Sequence, residues 1–597
     1  MELYQHNLNL LHKYDPDLAE KVMQASIPEW IEIVQAKDGN PALKVLSAYL
    51  HSAYRPIEEA FKITSRFEPD EGKRTVIYGL GLGYHVLEIL RKSKGDVAVI
   101  EPSLQIFRAF LSSMDITPFI ERTRFIVAEP PEKILSRLLQ GEWNIFKHSP
   151  SVKISEKYFN LLDRGRELTE ILKNQSLKIM VVNPIYGGSL PTAHNCAQAF
   201  KNMGHKVTTV DCENISQGYS WLRNITRNPQ NGNSLSNSFI KLMGDSILAQ
   251  AADFKPDLIL ALAQAPLSPQ SIEDLKQVGC PVAFWFVEDF RTLTYWQDIV
   301  SSYDYFFSIQ KGEALDSFKM AGGKNCYQLP QACAPWIQKP VMLKKRDRKK
   351  YSADLSFMGA AYYNRQQSFP QLLDFNFKIW GTEWQLDSPL GKHVQNANRL
   401  VSRTEAVKIY NSAKININLH SSTFHAGINP EGDFINPRTF EIAACSGFQL
   451  VDHRSELSEM FHIGKEMITF SSMADLREKC HYYLNNDAER SEIANRAFLR
   501  ANMEHSVEHR MQEMLLHIFT DQLDSLKSRL SGRQSPLEFF IEKAEEGSEL
   551  REYLNQFPTE KEFSLKTVVD HIGNGEGALS DNEIVMLMLD HVVEEKF

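Results

Sequence analysis

Short apolar runs alternate with amphipathic stretches along most of this chain, and this alternation predicts parallel sheets covered by helices. The run Arg74–Tyr78 leads through Gly79, Gly81 and Gly83 into a helical stretch, Tyr84–Leu90. Further runs typical of buried strands lie at 96–100, 124–128, 177–183, 206–210, 258–262, 282–286, 305–309, 354–359, 377–381, 415–419, 448–451 and 467–470. Strands alternating with helices predict a doubly wound α/β fold, repeated three times along the chain.

Helical spacing of apolar residues is found in other segments. Leu43, Leu46 and Leu50 recur at intervals of three and four, so residues 1 to about 70 are predicted to be helical. An amphipathic pattern predicts a helix from Thr192 to Met203, and the glycine that follows is a typical helix stop.

A charged segment divides the chain. Residues 340–353 carry seven consecutive charged residues and are predicted to be a solvated linker. From about residue 484 onward the pattern is helical. We therefore predict four parts, comprising a domain with a Rossmann-type unit at 1–170, one lobe at 176–340, a second lobe at 350–520 and a helical tail at 521–597.

Composition narrows the functional classes. The 597 residues are 43% hydrophobic and 24% charged, with a formal net charge of -9, so a nucleic-acid-binding surface is not expected. No opening signal peptide and no apolar run of about 18–20 residues are present, so we expect a cytoplasmic protein without a membrane span. The seven cysteines form no CxxC pair, and His420 and His425 have no cysteine pair nearby, so reduced thiols and no bound metal are expected.

One segment carries the residue types that a nucleotide sugar requires. Glu441 lies eight positions after Asp433, with Asn436, Arg438 and Thr439 between them at the predicted start of a helix. A carboxylate such as Glu441 suits ribose hydroxyls, the helix start with its arginine suits a diphosphate, and Asp433 suits sugar hydroxyls. An ordinary capped helix with an exposed acid fits the same spacing.

This segment resembles the C-terminal lobe signature of GT-B glycosyltransferases, with Asp433 where that signature commonly has Glu. The stretches 413–420, 436–441 and 448–452 resemble the spore-maturation CgeB-like glycosyltransferases, and the resemblance covers about 176–520. It implies an acceptor-side lobe at 176–340 and a donor-side lobe at 350–520. It further implies a nucleotide-diphospho sugar donor, with a UDP-sugar favoured, hexosyl or N-acetylhexosaminyl transfer, and no required cofactor.

Two further positions fit the donor cleft. Gly187 and Gly188 follow the first strand of the first lobe, where bare backbone allows close approach of a phosphate or an acceptor. Arg365 follows the first strand of the second lobe, where a guanidinium would match a diphosphate. A tight turn and a solvated charge are the alternative interpretations.

Three residues are candidates for a catalytic base in the first lobe. Asp289 is preferred and Glu288 is second, because both follow the strand at 282–286 and open α/β sheets place their sites at such strand ends. His194, near the glycine pair, is the third. Helix capping for the acids and a structural role for the histidine are the alternatives.

The N-terminal glycine turn supports two interpretations. Gly79, Gly81 and Gly83 resemble the turn of S-adenosylmethionine methyltransferases, with Glu101 at their ribose-binding position, although Ile77 replaces an expected acid. Residues 51–60 together with 79–85 resemble the motility accessory factor (Maf) flagellin glycosyltransferases over about 45–130. This second resemblance implies a protein acceptor, flagellin Ser/Thr hydroxyls in particular.

The sequence therefore predicts a bacterial O-linked protein glycosyltransferase with a nucleotide sugar and flagellin as partners. Two alternatives are an adenosylmethionine-dependent methyltransferase acting through 79–101, and a flagellin-binding scaffold without catalysis.

Overall fold

The computed structural model describes residues 2–138, 141–531, 537, 541, 544–557, 565–573, 575 and 577–596. The chain divides into two compact units. The first comprises Met1–Ile171 and Phe519–Leu523, and the second comprises Leu172–Ile518 and Asp524–Phe597. No helix in these described ranges combines the length and the apolar composition that crossing a membrane requires.

The first unit contains an antiparallel and a parallel sheet. Strands β1 (Ile31–Gln35), β2 (Pro41–Val45) and β3 (Ala48–Tyr49) form the antiparallel sheet. The parallel sheet has the order β6-β5-β4-β7, with β4 at Arg74–Tyr78, β5 at Val97–Glu101, β6 at Thr123–Val127 and β7 at Trp143–Lys147. The chain moves from β4 to β5 and β6 on one side and then crosses to β7 on the other, so the strand order reverses between β4 and β7.

Helices cover both sheets of this unit. They span Glu2–Tyr14, Pro16–Gln24, Pro56–Thr64, Tyr84–Lys92, Leu104–Ser113, Thr117–Ile120, Pro131–Lys133, Ser149–Ile154 and Glu156–Asn174, the last continuing into the second unit.

The prediction that residues 1 to about 70 are helical is wrong for 31–49. Leu43 and Val45 are buried on one face of β2 at a spacing of two, and a turn with Gly39 at φ +88° joins β1 to β2. The leucine spacing matched a helix by coincidence, because Leu43 lies in β2, Leu46 lies in the following turn with φ +55° and Leu50 follows β3.

The first sheet of the second unit is parallel throughout and has the order β13-β12-β11-β10-β8-β9. Its strands are β8 (Lys178–Val182), β9 (Lys206–Val210), β10 (Leu258–Leu262), β11 (Val282–Phe286), β12 (Tyr305–Ser308) and β13 (Cys326–Gln328). Its helices span Leu190–Asn202, Ser216–Asn224, Pro229–Phe254, Pro269–Lys276, Trp296–Ile299 and Glu313–Met320. Every residue of β10 and β11 is buried, as expected for strands covered on both faces.

The second sheet of this unit is also parallel, with the order β15-β14-β16-β17-β18. Its strands are β14 (Ala353–Met358), β15 (Phe377–Trp380), β16 (Ala413–Asn418), β17 (Gln449–Asp452) and β18 (Ile468–Phe470). Associated helices span Lys345–Tyr351, Tyr363–Ser368, Arg403–Ser412, Pro437–Ala444, Met473–Asn485 and Asp487–Glu504. The helices Val507–Asp521 and Leu523–Ser531 follow them along the chain. Further helices lie at Glu549–Leu554, Leu565–Gly573 and Asp581–Lys596.

The α/β class and the tandem Rossmann-like lobes expected from the sequence are confirmed. Within the predicted linker 340–353, most of the charged side chains are exposed, and Lys345–Tyr351 forms a short helix. Asp347 pairs with Lys408 at 3.0 Å, Lys350 pairs with Glu405 at 2.9 Å, and Tyr351 is buried. The charge run thus faces the helix Arg403–Ser412, a partner that the local sequence does not contain.

Candidate active site in the second unit

The helix Pro437–Ala444 begins at the carboxyl end of β16 and is held there by hydrogen bonds. The Asn436 side chain accepts a hydrogen bond from the Thr439 N–H at 3.2 Å and donates one to Asn418 Oδ1 at 2.8 Å. The backbone N–H of Asn436 donates to His420 Nε2 at 2.8 Å. The first turn of the helix is therefore fixed in position.

A buried ionic group holds His420. Asp452 Oδ1 lies 2.7 Å from His420 Nδ1, and Arg454 donates to Asp452 Oδ2 at 2.6 Å. Burial lowers the pKa of His420 to about 4. Burial opposes ionisation of Asp452 as well, but His420 and Arg454 outweigh it and hold its pKa below the usual value. Neutral His420 therefore donates from Nδ1 and accepts the Asn436 N–H at Nε2.

Glu441 lies in the second turn of this helix. Tyr410 donates to Glu441 Oε2 at 3.2 Å. Burial raises the pKa of Glu441, while the hydrogen bond from Tyr410 and the charges of Arg438 and Arg403 favour its ionised form. Its second carboxylate oxygen has no hydrogen-bond partner among the described residues and is available to a ligand hydroxyl.

Arg403, whose charge favours the ionised form of Glu441, contacts the first lobe. Its guanidinium donates to Asn195 Oδ1 at 3.1 Å and to the Pro191 carbonyl at 2.6 Å. Both partners lie on the helix Leu190–Asn202, which follows β8. The start of this first-lobe helix thus faces the surroundings of Glu441 across the cleft.

Two arginines lie at the carboxyl ends of β14 and β16. Arg365, which is 2% exposed, donates to the carbonyls of Leu419 and Ala360 at 2.8–3.2 Å. Arg438 donates to the Met358 carbonyl at 2.6 Å, and its Nε is buried without a hydrogen-bond partner in the described part of the chain. Burial, and then Arg438, hold the pKa of Arg365 well below its ordinary value. In the described ranges neither arginine forms an ion pair with a carboxylate, so this edge carries excess positive charge.

Asp433 lies where the two lobes of the second unit meet. Both carboxylate oxygens accept from Gln310 Nε2 at 3.3 Å, and Oδ2 also accepts from Arg291 at 3.1 Å. The Phe434 N–H donates to Oδ1 at 2.7 Å. Gln310 and Arg291 follow β12 and β11, so this acid of the second lobe is bound by the first.

The glycine pair lies at the switch point between β8 and β10. Gly187 has φ +103°, and a Cβ there would lie 2.5 Å from Gln264 Oε1, whereas a Cβ at Gly188 would meet nothing within 4 Å. Gln264 donates to Glu288 Oε1 at 2.6 Å, and Tyr295 donates to Glu288 Oε2 at 2.8 Å. Burial raises the pKa of Glu288. The structure thus brings Gly187 and Glu288 together through Gln264.

The other two base candidates have different surroundings. Asp289 Oδ1 accepts from the N–H groups of Arg291 and Thr292 at 2.8 and 3.3 Å, which is a turn-capping role. His194 Nε2 lies 2.9 Å from Glu213 Oε1, and its side chain is 42% exposed. Sequence reasoning missed Glu213, Gln264, Tyr295 and Arg403, because only the fold brings them to the predicted residues.

The glycine turn of the first unit is packed by the protein itself. A Cβ at Gly79 would lie 2.1 Å from Ser151 Cβ, and one at Gly81 would lie 2.4 Å from His51 Nε2. The buried Glu101 carboxylate accepts hydrogen bonds from two backbone N–H groups at 3.0 and 3.1 Å. Bound adenosylmethionine would have to contact this glycine turn and Glu101, which here are contacted by the protein itself.

Three buried histidines lie against that turn. One ring nitrogen each of His51, His85 and His148 lies within 4.8 Å of the others. The rings of His85 and His148 are nearly parallel, at 8° with centroids 4.1 Å apart, so their in-plane lone pairs do not point at a common ion. The Leu82 N–H donates to His51 Nε2 at 2.7 Å. In this arrangement the three histidines form a stack of neutral rings, and this stack does not fit a metal centre.

Residues 365–516, which contain most of the second lobe, match the family model described as "Glycosyl transferase-like". The chain is a glycosyltransferase. The spore protein CgeB of Bacillus subtilis (strain 168) is 27% identical over 252 residues, covering 40% of this chain and 76% of that protein. An uncharacterized protein of Treponema pallidum (strain Nichols) is 32% identical over 176 residues, covering 27% of this chain and 60% of that protein. The resemblance to CgeB is thus confirmed.

Solved structures with likeness to the chain include further glycosyltransferases. A glycosyltransferase from Rickettsia africae aligns with a TM-score of 0.41 and 12% identity, covering 60% of this chain and all of that one. HepE of Anabaena in complex with UDP aligns with a TM-score of 0.37 and 11% identity, over 60% of this chain and all of that one.

Proposed function

We propose that the second unit of this glycosyltransferase transfers a sugar from a nucleotide-diphospho donor to a Ser/Thr hydroxyl of a protein. The observation that carries the donor class is the pair Arg365 and Arg438 at the switch point of the second lobe. A buried guanidinium without a carboxylate partner is costly unless an anion compensates it, and a diphosphate supplies that charge. The fixed N-terminus of the helix Pro437–Ala444 adds the positive end of the helix dipole.

The remaining donor contacts follow from the groups that are available. The free oxygen of Glu441 accepts from the ribose, and Asp433, held at the boundary between the lobes, accepts from the sugar hydroxyls. Gly188 has open space at its Cβ position, so its backbone allows close approach of the donor, and Gly187 shapes the turn that presents it. Departure of the nucleoside diphosphate is stabilised by Arg438, by the deeper charge of Arg365 and by the helix dipole, with no metal required. UDP is the nucleotide we expect.

The sequence of the first unit supports our choice of acceptor. Its resemblance to the motility accessory factor proteins over about 45–130 supports a protein acceptor, and flagellin is the acceptor that we propose. All seven cysteines are buried free thiols, which suits a reducing compartment, and we place the reaction in the cytoplasm.

Nucleotide binding tests the donor assignment. We expect UDP to stabilise the full chain in calorimetric titration against UDP, GDP, CMP, dTDP and adenosylmethionine. Arg438→Ala and Glu441→Gln should each weaken nucleotide binding roughly tenfold or more, because each removes a charge-assisted contact. Glu431→Gln is the control, since Glu431 is exposed on the loop before Asp433. Binding of adenosylmethionine alone, or nucleotide binding that is indifferent to Arg438, would contradict the proposal.

Sugar transfer then tests the acceptor assignment. Incubation with a UDP-sugar and purified flagellin should add hexose or N-acetylhexosamine mass to Ser or Thr residues of flagellin. Donor hydrolysis without any modified protein would reject the protein acceptor and leave the donor assignment intact.

A further inference from the structure

An open cavity lies at the amino edge of the parallel sheet in the first unit. It has a volume of about 530 Å³ and lies between the segment 69–73 before β4 and the turn 92–96 before β5. The first residues of β4 and β5, together with Arg124 of β6, complete its lining. Small-molecule sites in proteins occupy about 300–1,000 Å³, so the cavity has the size of such a site.

The carboxyl edge of the same sheet is filled by the protein. A Cβ on Gly79 would lie 2.1 Å from Ser151 Cβ, and a Cβ on Gly81 would lie 2.4 Å from His51 Nε2. This is the edge at which a Rossmann-type unit ordinarily holds its ligand. A ligand of the first unit therefore finds space at the amino edge instead.

Strand register places two arginines on one face of the sheet. Val76 pairs with Ala98, and Ala98 pairs with Arg124. Paired residues share a face of a sheet, and so do residues two apart along a strand, which places Arg74 on this face as well. All three residues Arg74, Ala98 and Arg124 line the cavity, and the small Ala98 lies on the strand between the two arginines. Standard strand spacing puts the Cα atoms of Arg74 and Arg124 about 12 Å apart.

Three lysines that line the cavity already have partners. Lys73 Nζ lies 2.9 Å from Glu142 Oε2, and Lys94 Nζ lies 2.7 Å from Glu71 Oε1. Lys92 Nζ donates to three backbone carbonyl oxygens of the chain before β4 at 2.6–3.3 Å. The protein itself thus occupies the donors of these lysines.

The two arginines differ from the lysines in this respect. In the described ranges, neither the guanidinium of Arg74 nor that of Arg124 forms an ion pair or a hydrogen bond, and both side chains are exposed. Five basic and three acidic residues line the cavity, so its charge is positive in excess. Two unpaired guanidinium groups beside a cavity with excess positive charge favour a ligand with negative charge.

We propose that this cavity binds a small ligand that carries phosphate groups, held between Arg74 and Arg124. A guanidinium group presents planar donors that match phosphate oxygens, and it keeps its charge at physiological pH. The concave shape favours a small molecule over an acidic protein segment, because protein interfaces extend over about 800 Å² per partner. All lining residues belong to the first unit, and the inference does not depend on the proposed function.

Calorimetric titration of the full chain with inorganic pyrophosphate tests the site. We expect Arg74→Ala and Arg124→Ala each to weaken pyrophosphate binding roughly tenfold or more, because each removes a charge-assisted contact. Each variant is made in the wild type and in Arg438→Ala, so that binding at the donor site is recognised. Arg55→Ala is the control, since Arg55 is an exposed arginine of the same unit outside the cavity.

A change of shape without a change of charge completes the test. Ala98→Val narrows the cavity between the arginines with a residue that strands favour, so it should lower the affinity for adenosine 5′-monophosphate and glucose 1-phosphate. Of these two probes, the one that binds more tightly identifies a nucleotide or a sugar phosphate as the ligand class. Pyrophosphate binding that is indifferent to both Arg74→Ala and Arg124→Ala would overturn the inference. Binding of an octaglutamate peptide in place of all phosphate probes would also overturn it, by making the cavity a protein-docking surface.

Discussion

At the scale of single residues, the donor side depends on polar groups that lie beneath it. Asp452 touches no expected ligand, yet it orients His420, which accepts the backbone N–H of Asn436 and so places the helix that carries Glu441. A carboxylate in the core thus determines where the charged residues of the site point, in the way that indirect partners orient ligating side chains elsewhere.

Asp452→Asn tests this dependence. Replacing the carboxylate leaves Arg454 buried beside a neutral amide, and removing one member of a buried ion pair costs about 3–5 kcal/mol. We expect a loss of stability of this size, measured by urea denaturation at pH 7, together with weaker UDP binding. Asp387→Asn, on an exposed loop, is the control. A change below about 1 kcal/mol would show that the ionic group is not needed.

At the scale of elements, the switch points of the two lobes of the second unit carry the predicted site. Gly187 connects β8 to the helix Leu190–Asn202 in a conformation with positive φ, and Gln264 packs against it from the end of β10. Tight contact between two loops positions the hydrogen-bonded pair Gln264 and Glu288.

The two adjacent glycines offer a matched comparison. Gly187→Ala should cost about 1–3 kcal/mol, because alanine is strained at φ +103° and its Cβ would displace Gln264. Gly188→Ala has open space and should be close to neutral. The thermal unfolding temperature and the kcat of the two variants are compared with those of the wild type. Equal behaviour of the two would mean that the turn relaxes freely.

At the scale of the whole molecule, the first unit contributes a pH dependence of its own. Burial lowers the pKa of His51 to about 3 and that of His85 to about 4, and burial likewise holds the pKa of His148 below its usual value. Below pH 6.5 the unfolded chain binds protons that these folded histidines do not, so stability falls as the pH drops from about 6.5 to about 4.

We expect His51 and His85 each to cost about 2 kcal/mol of stability at pH 5 relative to pH 7. His85→Gln should remove one such contribution, so the difference between the two pH values becomes smaller. Urea-dependent proteolysis, with fragments of the first unit identified by mass spectrometry, measures this. His6→Gln, at an exposed position, should leave the difference unchanged. A variant with the full wild-type difference would contradict the buried neutral state of His85.

Most strands of the three parallel sheets were predictable, because most of their runs are apolar on both faces. Four predicted runs coincide with observed strands at both ends, namely 74–78, 206–210, 258–262 and 282–286. Strands β7 and β13 were not predicted. The run of β7 includes Asn144 and Lys147, and β13 has only three residues, so the apolar signal of each is weak. The hairpin of β1 and β2 was mistaken for helix because leucines from a strand, a turn and the segment after β3 recur at helical spacing.

The sequence by itself determined the α/β class, the two lobes of the second unit and the spacing of Asp433 and Glu441. Strand periodicity, glycine turns and helix caps each depend on a few neighbouring residues, so the sequence shows them directly. Only the tertiary structure decided that Arg365 is buried beside Arg438, that Asp433 is bound by Arg291, and that His194 has Glu213 as a partner. These contacts join residues 19–142 positions apart, and a linear pattern does not record which separate strand ends a folded sheet brings together.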